Sequence, residues 1–244
     1  MKYKIAIPSY KRPKVIQEKT LKYLKECNID KEVITIFVAN EEEEISYKQN
    51  GVVDYTIVVG VLGITNQRNF IKQYYDEGEY IISLDDDIER LEQAVEKKFI
   101  PIRELDNLFK ESYKMMLREK RFIWGIYPAR NIMCIYMRKE IHTDLKFIIG
   151  LCYGFINRKT EDLILNQELE GKEDIHQSIL YYLKDGGVLR RNTIVAKTKF
   201  YAEGGLGKER SMQNKKATEL ICLKYPNLTR IVQRKNGTYE IRFR

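Results

Sequence analysis

The chain has 244 residues, of which 43% are hydrophobic and 32% charged, a composition that fits an ordinary globular domain and excludes a disordered chain. No apolar run approaches the roughly 20 residues of a membrane-spanning helix, and the first eight residues are too short and too soon interrupted for a secretory signal. The formal charge is +8, and the segment from Arg190 to Arg244 carries 14 Lys and Arg against 4 Asp and Glu, so the remainder is slightly acidic.

Short apolar runs alternate with helical patterns, which predicts an α/β fold: a mostly parallel, doubly wound (Rossmann-like) mixed sheet with helices on both faces. The first half predicts strand 4–8, helix 14–26, strand 32–39, helix 42–49, strand 55–59, helix 66–76 and strand 80–84. The second half predicts helix 103–118, strands 121–127, 131–137 and 147–157, helix 174–184, strand 193–199, helix 212–224 and a hairpin of 229–232 with 239–243. We expect one domain over 1–200, with a small helix–hairpin extension over 201–244 packed on it.

Polar residues follow three of the predicted strands at the point where each strand ends. Ser9 and Tyr10 follow the first, Asn40 the second, and Asp85-Asp86-Asp87 the fourth. Ligands of such sheets gather beyond the carboxyl ends of the strands, so we expect a polar, acidic pocket at this edge.

Carboxylates must carry any metal chemistry in this chain. The four cysteines are scattered without a Cys-x-x-Cys pair, which disfavours a zinc site and a disulfide framework and makes a reducing cytoplasm the expected compartment. Only His142 and His176 are present. The three aspartates repel one another unless a cation relieves them, and Mn²⁺ or Mg²⁺ prefers oxygen ligands and bridges to diphosphate. In an extended segment Asp85 and Asp87 point to one side and Asp86 to the other.

Four motifs, in order, carry a resemblance to a known family. They are residues 5–13 (IAIPSYKRP), residues 63–69 (GITNQRN), residues 78–87 (GEYIISLDDD), and the pair Glu173-Asp174. Together they resemble the GT-A glycosyltransferases, particularly the family 2 type, over about residues 4–196. The resemblance implies a UDP-sugar donor, with UDP-glucose favoured, and Mn²⁺ or Mg²⁺ as cofactor.

The same resemblance implies roles for individual residues. Asp87 would bind the metal, and Asp85 would share it while facing the ribose or sugar. The remaining donor-site residues would be Pro8, Ser9, Tyr10 and Arg12 along the nucleotide, Asn40 or Glu41 near the base or ribose, Arg68 at the base or diphosphate, and Asp86. The residues alone leave Arg68 open as a helix-surface arginine paired with Glu77 or Glu79.

Asp174 is the expected general base, since inverting transfer needs a carboxylate to take the proton of the acceptor hydroxyl. Glu173 is the alternative base. Glu173-Asp174 also fits an ordinary acidic first turn of a helix.

The second half is expected to build the acceptor site, from Trp124, Tyr127, Arg130 and Tyr153, whose aromatic members can stack on a sugar or a base or can simply be core. No histidine after His176 supplies a late metal ligand, so water, Glu203 or substrate would fill that position. The loop with Gly204, Gly205 and Gly207 can close over the diphosphate with Lys208 or Arg210, or can be a plain connection.

Residues 7–13 (IPSYKRP) and the late Lys224-Tyr225-Pro226 with its basic tail resemble the TET-associated glycosyltransferases of phages and large viruses. This resemblance implies a 5-hydroxymethylpyrimidine base in DNA as acceptor and a host-cell cytoplasm. The residues expected on DNA phosphates are Lys215, Lys216, Arg230, Arg234 and Lys235. Three other functions stay open: a family 2-like transferase acting on a glycan, a nucleotidyltransferase, disfavoured because its usual glycine-rich opening is missing, and a nucleic-acid-binding module without activity.

Overall fold

The computed structural model describes residues 1–136, 138–198, 210–233 and 239–244. Its strands are β1 Lys4–Pro8, β2 Ile34–Val38, β3 Thr56–Val59, β4 Tyr80–Leu84, β5 Arg90–Val95, β6 Lys98–Pro101, β7 Ile123–Ile126, β8 Ile141–His142, β9 Cys152–Ile156, β10 Leu189–Arg191, β11 Ile194–Lys197, β12 Thr229–Gln233 and β13 Tyr239–Phe243. Its α-helices are α1 Pro13–Ile16, α2 Lys22–Glu26, α3 Glu41–Gln49, α4 Ile64–Tyr74, α5 Leu105–Arg118, α6 Ile132–Ile135, α7 Glu173–Asp185 and α8 Arg210–Lys224. A π turn, Gln17–Leu21, joins α1 to α2 as one continuous helix, and short 3₁₀ turns lie at Lys31–Val33, Glu161–Leu163 and Gln167–Leu169.

The main sheet has eight strands in the order β3-β2-β1-β4-β9-β7-β10-β8, and it confirms the predicted α/β fold. β1, β2, β3 and β4 run parallel, as do β7 and β10. β9 lies antiparallel between β4 and β7, so β7 runs in the same direction as β4. β2 is buried along its whole length, which explains its unbroken apolar sequence, because helices cover both faces of a parallel strand.

The hairpin of β5 and β6 was not predicted. It forms a second, antiparallel sheet with β11, in the order β11-β5-β6. Its sequence, rich in charged residues, has only two buried positions in β5, Leu91 and Glu92, so hydrophobic alternation gives no signal there. Two residues separate the acidic run from the hairpin, so the hairpin holds the end of the run in position.

Two predicted strands of the second half differ from the structure. Residues 131–137 were predicted as a strand, but Ile132–Ile135 is a helical turn, which Asn131 caps by accepting a hydrogen bond from the Met133 amide at 3.1 Å. The strand predicted over 147–157 begins only at Cys152. Residues 147–151 are instead an irregular segment along the sheet edge.

The C-terminal elements pack against α7. Ile221 of α8 lies in one apolar cluster with Ile175 and Ile179 of α7, and the β12–β13 hairpin adds Ile241 and Phe243. The division into 1–200 and 201–244 stays a prediction. Among the helices of the described ranges, none is both long and apolar enough to cross a bilayer.

Candidate functional site

The strand directions bring the predicted donor residues to one edge of the sheet. Because β1, β2 and β4 are parallel, the residues after them leave the sheet on the same side. β9 runs the other way, so its amino end meets the carboxyl end of β4, and the Asp85 amide donates to the Leu151 carbonyl at 2.9 Å. This edge therefore holds the acidic run together with the segment that precedes β9.

Asp86 is tied to the loop after β1. It is 6% exposed and accepts hydrogen bonds from the Ser9 hydroxyl at 2.6 Å and from Arg12 Nη1 at 3.3 Å. Ser9 in turn shares a 2.6 Å hydrogen bond with the Tyr47 hydroxyl. Arg12 Nη1 also lies 3.6 Å from Asp87 Oδ2. Asp86 and Ser9 thus hold two loops together, and in this structure Arg12 faces carboxylates.

Arg68 is the centre of the site. It is 4% exposed, and its Nη1 lies 3.1 Å from Glu173 Oε1 while its Nη2 lies 3.9 Å from Asp85 Oδ1. Nη2 also donates to the Gly150 carbonyl at 3.4 Å. Neighbouring acidic groups raise the pKa of Arg68 despite its burial, so it stays charged. Arg68 is therefore buried, and it is not the helix-surface arginine that the residues alone left open.

Asp174 lies beside this ion pair, in the first turn of α7. Its Oδ1 accepts from the Ile175 amide at 2.8 Å and its Oδ2 from the Gly150 amide at 3.4 Å, so two backbone groups fix the carboxylate. Burial and the Glu173 carboxylate raise the pKa of Asp174 to about 6, and Arg68 opposes that rise. A carboxylate with a pKa near neutrality is suited to take a proton from a hydroxyl group.

The carboxyl groups of the acidic run repel one another, and a divalent cation would relieve that repulsion. Burial, followed by the carboxylates of Asp87, Asp86 and Glu173, raises the pKa of Asp85 to about 8, although 31% of the Asp85 side chain remains accessible and Arg68 opposes the rise. Asp85 and Asp87 do not bond to Ser9, so their carboxylate oxygens are the ones that can bind a metal. Within the described residues, no three or more His, Cys, Asp or Glu side chains are grouped to hold a metal by themselves. The residues fit a cation that takes its remaining ligands from a diphosphate and water, as Mg²⁺ often does.

Thr20 is a site residue that sequence reasoning missed. From the π turn, its hydroxyl donates to the Asp85 carbonyl at 2.8 Å and accepts from the Ile88 amide at 2.9 Å, so it bridges the two ends of the acidic run. Glu170, also missed, accepts from the Ile64 amide at 3.1 Å, at the start of α4 next to Gly63, whose φ is +90°. A buried threonine within a helix, in a π turn, is the kind of signal that often marks a functional site.

The remaining predicted donor residues lie along the same edge. Pro8 is the buried last residue of β1, and Tyr10 follows it with Lys11 Nζ 5.0 Å from the centre of its ring. Asn40 caps α3, because its side-chain oxygen accepts from the Glu43 amide at 2.9 Å. The capping bond fixes the Asn40 side chain, and its role near a base or ribose stays a prediction.

The four predicted acceptor residues separate into core and rim. The prediction that Trp124 contacts the acceptor is wrong, because its side chain is 0% exposed. It packs against Phe109 and Tyr113 of α5, on the face of the sheet opposite to Tyr153. Tyr153 is 2% exposed, with its ring 5.6 Å from the Arg68 guanidinium. Tyr127 and Arg130 lie after β7. Arg130 stacks on Phe99 at 4.6 Å and pairs with the fully buried Glu92.

The residues predicted to contact DNA lie in the C-terminal elements. Lys215, Lys216 and Arg230 are exposed, and Lys215 Nζ is 5.6 Å from the centre of the Tyr239 ring. Arg234 and Lys235 lie outside the described residues, as do Glu203, Lys208 and the glycines at 204, 205 and 207; Arg210 is the first residue of α8.

Comparisons with known proteins establish the fold. No protein-family model and no curated protein matches the sequence. Glucosyl-3-phosphoglycerate synthase from Mycobacterium tuberculosis with phosphoglyceric acid is similar at TM-score 0.57 and 8% identity, covering 94% of this chain and 83% of that one. The complex of the same enzyme with Mn²⁺, uridine diphosphate and glucosyl-3-phosphoglycerate is similar at TM-score 0.55 and 10% identity, covering 99% of this chain and 86% of that one. A mannosyltransferase from Pyrobaculum calidifontis in complex with GDP-Man and Mn²⁺ is similar at TM-score 0.52 and 15% identity, covering 78% of this chain and 53% of that one. The chain has the GT-A fold of these glycosyltransferases.

Proposed function

We propose that this protein is a metal-dependent, inverting glycosyltransferase that moves a sugar from a UDP-sugar, with UDP-glucose favoured, to a hydroxyl acceptor. One observation carries the proposal. Arg68 of α4 joins Asp85, after β4, to Glu173, at the start of α7, and Asp174 lies beside them. A surface loop of acidic residues would have no reason to converge with a buried arginine and a second acidic pair.

The donor half rests on Asp85 and Asp87. They are the residues that would hold the cation, which when bound supplies positive charge against the diphosphate. Arg68 brings a permanent positive charge to the same pocket, since its pKa is raised. Two of the similar structures named above contain Mn²⁺, one with uridine diphosphate and the other with GDP-Man, which supports a nucleotide-sugar donor.

The transfer step assigns the proton to Asp174. The acceptor oxygen attacks the anomeric carbon, its proton passes to the Asp174 carboxylate, and the bond from that carbon to the diphosphate oxygen breaks as the diphosphate leaves with the electron pair. Attack opposite to the leaving group inverts the anomeric centre. Glu173 is the weaker candidate base, because Arg68 holds it in an ion pair at 3.1 Å.

For the acceptor, we propose a 5-hydroxymethylpyrimidine base in DNA, as the resemblance to the TET-associated enzymes implies. The exposed cations Lys215, Lys216 and Arg230 support it, since phosphate contacts by such residues supply most of the sequence-independent affinity for DNA. A base inside a duplex would have to be flipped out, which costs a few kcal/mol. A glycan acceptor is the competing outcome of the test.

The test is transfer from labelled UDP-glucose with Mn²⁺ to three acceptors: DNA with 5-hydroxymethylcytosine, the same DNA unmodified, and a mixture of neutral oligosaccharides. We expect label only in the hydroxymethylated DNA, with Asp87→Ala abolishing transfer and donor binding, and Asp174→Asn abolishing transfer alone. Asp162→Asn, an exposed aspartate paired with Lys184, is the matched control.

Label in the oligosaccharides alone would replace the DNA acceptor with a glycan. DNA binding that survives Asp87→Ala, with no binding of UDP- or GDP-sugars under any metal, would instead indicate a nucleic-acid-binding module and overturn the proposal.

A further inference from the structure

Two arginines meet on one aromatic ring at the rim of the sheet. The Arg190 guanidinium carbon lies 5.0 Å from the centre of the Tyr127 ring, and that of Arg138 lies 5.2 Å from it. Tyr127 is 8% exposed and Arg190 6%, whereas Arg138 is exposed. We call Arg138 and Arg190 the arginine pair. One member is fixed in the fold and the other faces solvent.

Neutral groups bind both members of the arginine pair. Arg190 Nε donates to the Asn192 side-chain oxygen at 2.9 Å and its Nη1 to the Phe147 carbonyl at 3.5 Å, while Arg138 Nε donates to the Cys134 carbonyl at 2.6 Å. No carboxylate forms an ion pair with either arginine in the part of the chain that the structure describes.

Three other arginines are different, because each pairs with a carboxylate, although Arg130 shares Glu92 with Arg90. Arg130 pairs with Glu92, Arg191 with Glu140 at 3.1 Å, and Arg158 with Asp185 at 2.6 Å. For Arg190, burial and then the repulsion of Arg138 outweigh the pull of Tyr127 and Asp144 and lower the pKa to about 10. A buried cation pressed by a second cation is a site where an anion is favoured.

The arginine pair lies on the acceptor side of the candidate site. β7 and β10 run in the direction of β4, so Tyr127 and Arg190 are near the edge where Asp85 lies. Arg190 is opposite Gly125, and Gly125 is opposite Tyr153, so Arg190 shares a sheet face with the tyrosine that contacts Arg68.

One segment links the pair to the expected base. Phe147, which accepts from Arg190, is three residues before Gly150, whose amide donates to Asp174. Three extended residues span at most about 10 Å. The hydrogen bonds of 3.5 Å at Phe147 and 3.4 Å at Gly150 therefore connect the arginine pair and Asp174 to the two ends of one four-residue segment, so that a single acceptor molecule can reach both.

We propose that the arginine pair binds a phosphate group of the acceptor, so that the acceptor is a hydroxyl compound that carries a phosphate in addition to the hydroxyl that receives the sugar. Two guanidinium groups present several N–H donors that match phosphate oxygens, and Tyr127 holds both in place. The phosphate belongs either to a small phosphorylated acceptor or to the backbone of a nucleic acid. The acceptor part of this inference rests on the proposed function, whereas phosphate binding by the pair does not.

The test measures phosphate binding on the full chain by calorimetry, in saturating UDP and Mg²⁺ so that the diphosphate site is filled. The probes are glycerol 3-phosphate, glycerol and a 12-nucleotide DNA strand. We expect glycerol 3-phosphate or the DNA strand to bind, glycerol not to bind, and Arg138→Gln to weaken binding at least tenfold. Arg118→Gln, an exposed arginine paired with Glu119 on α5, is the matched control and leaves binding unchanged. Arg190→Lys, which keeps the charge but not the planar fork, is expected to weaken binding less than Arg138→Gln.

The outcomes separate the sources. Tighter binding of glycerol 3-phosphate indicates a small phosphorylated acceptor, and tighter binding of the DNA strand, lost steeply with salt, indicates a nucleic acid. Equal binding by Arg138→Gln and Arg118→Gln, or no binding of either phosphate, overturns the inference. If UDP itself fails to bind, the proposed function fails, yet the Arg138→Gln comparison still decides the phosphate site.

Discussion

Arg68 and Gly150 fit against each other without room for a side chain between them. Arg68 Nη2 donates to the Gly150 carbonyl at 3.4 Å, and a β-carbon on Gly150 would overlap the same nitrogen. The contact joins the helix that carries Arg68 to the segment that positions Asp174. The absence of a side chain at Gly150 is thus a condition for the ion pair between Arg68 and Glu173.

Gly150→Ala is expected to displace the Arg68 guanidinium and to destabilise the fold by about 2 kcal/mol, the range of overpacking in a filled interior. In an Arg68→Ala background the same substitution has open space and should have little effect. A double-mutant cycle by urea unfolding measures the coupling. An equal loss of stability in both backgrounds would show that the clash lies elsewhere.

Activity is expected to fall as the pH drops through about 6, because Asp174 must be deprotonated to accept a proton and its pKa is raised to that value. Glu173→Gln removes the neighbouring carboxylate and with it the ion pair of Arg68. The lost negative charge and the released positive charge of Arg68 both lower the pKa of Asp174. The acid limb of kcat/KM against pH should therefore move to lower pH in Glu173→Gln and stay in place in Glu161→Gln. A move towards higher pH would contradict the role given to Asp174.

His176 predicts acid-sensitive stability. Its Nδ1 accepts from the Asn166 amide at 3.3 Å, its Nε2 lies 3.1 Å from the Tyr225 hydroxyl, and burial, with Lys224 and Lys72, lowers its pKa from 6.5 to about 4. The unfolded chain takes a proton below about 6.5 and the folded chain only near 4, so stability present at pH 7 is lost across that window.

The loss is expected to be about 2–3 kcal/mol between pH 7 and pH 4 from this one group. Urea unfolding of the wild type and of His176→Gln at pH 7, 5.5 and 4 checks it. The variant should be less stable at pH 7 and show a shallower fall, and parallel curves would exclude His176 as the cause.

Trp124→Leu is expected to lower stability by about 3 kcal/mol, because the indole fills the core between β7 and α5. The KM for acceptor should not change, since the ring has no exposed atoms to offer it. Tyr127→Leu gives the contrast, with a raised KM and a smaller loss of stability. A raised acceptor KM in Trp124→Leu would restore the tryptophan to the acceptor site.

Much of the first half of the fold was predictable, because its signals are local. β1 and β4 have the predicted bounds, since each is a short apolar run ended by Pro8 or by the aspartates. Strand direction then brought those ends together. Asp86 has Ser9 as a partner apart from Asp85, but Asp86 and Asp87 form a turn and not the extended segment for which the alternation was argued.

What could not be predicted depends on contacts distant in sequence. Residues 131–137 are apolar enough for either a strand or a helix, and the Asn131 cap decided for a helical turn. Arg68 was placed at the donor by the resemblance, but the residues alone left a surface arginine open, because its partner Glu173 lies more than a hundred positions away. Trp124 in isolation could not reveal which face of the sheet it occupies.

Thr20 closes a small ring with the Asp85 carbonyl and the Ile88 amide, through two hydrogen bonds that lie wholly within the chain. The turn that presents the carboxylates is therefore ordered during folding, and binding of a donor does not have to remove its conformational entropy. The helix that carries Thr20 thereby contributes to the affinity for the donor without contacting the donor itself. It does so through one hydroxyl group bonded to the main chain of the acidic turn.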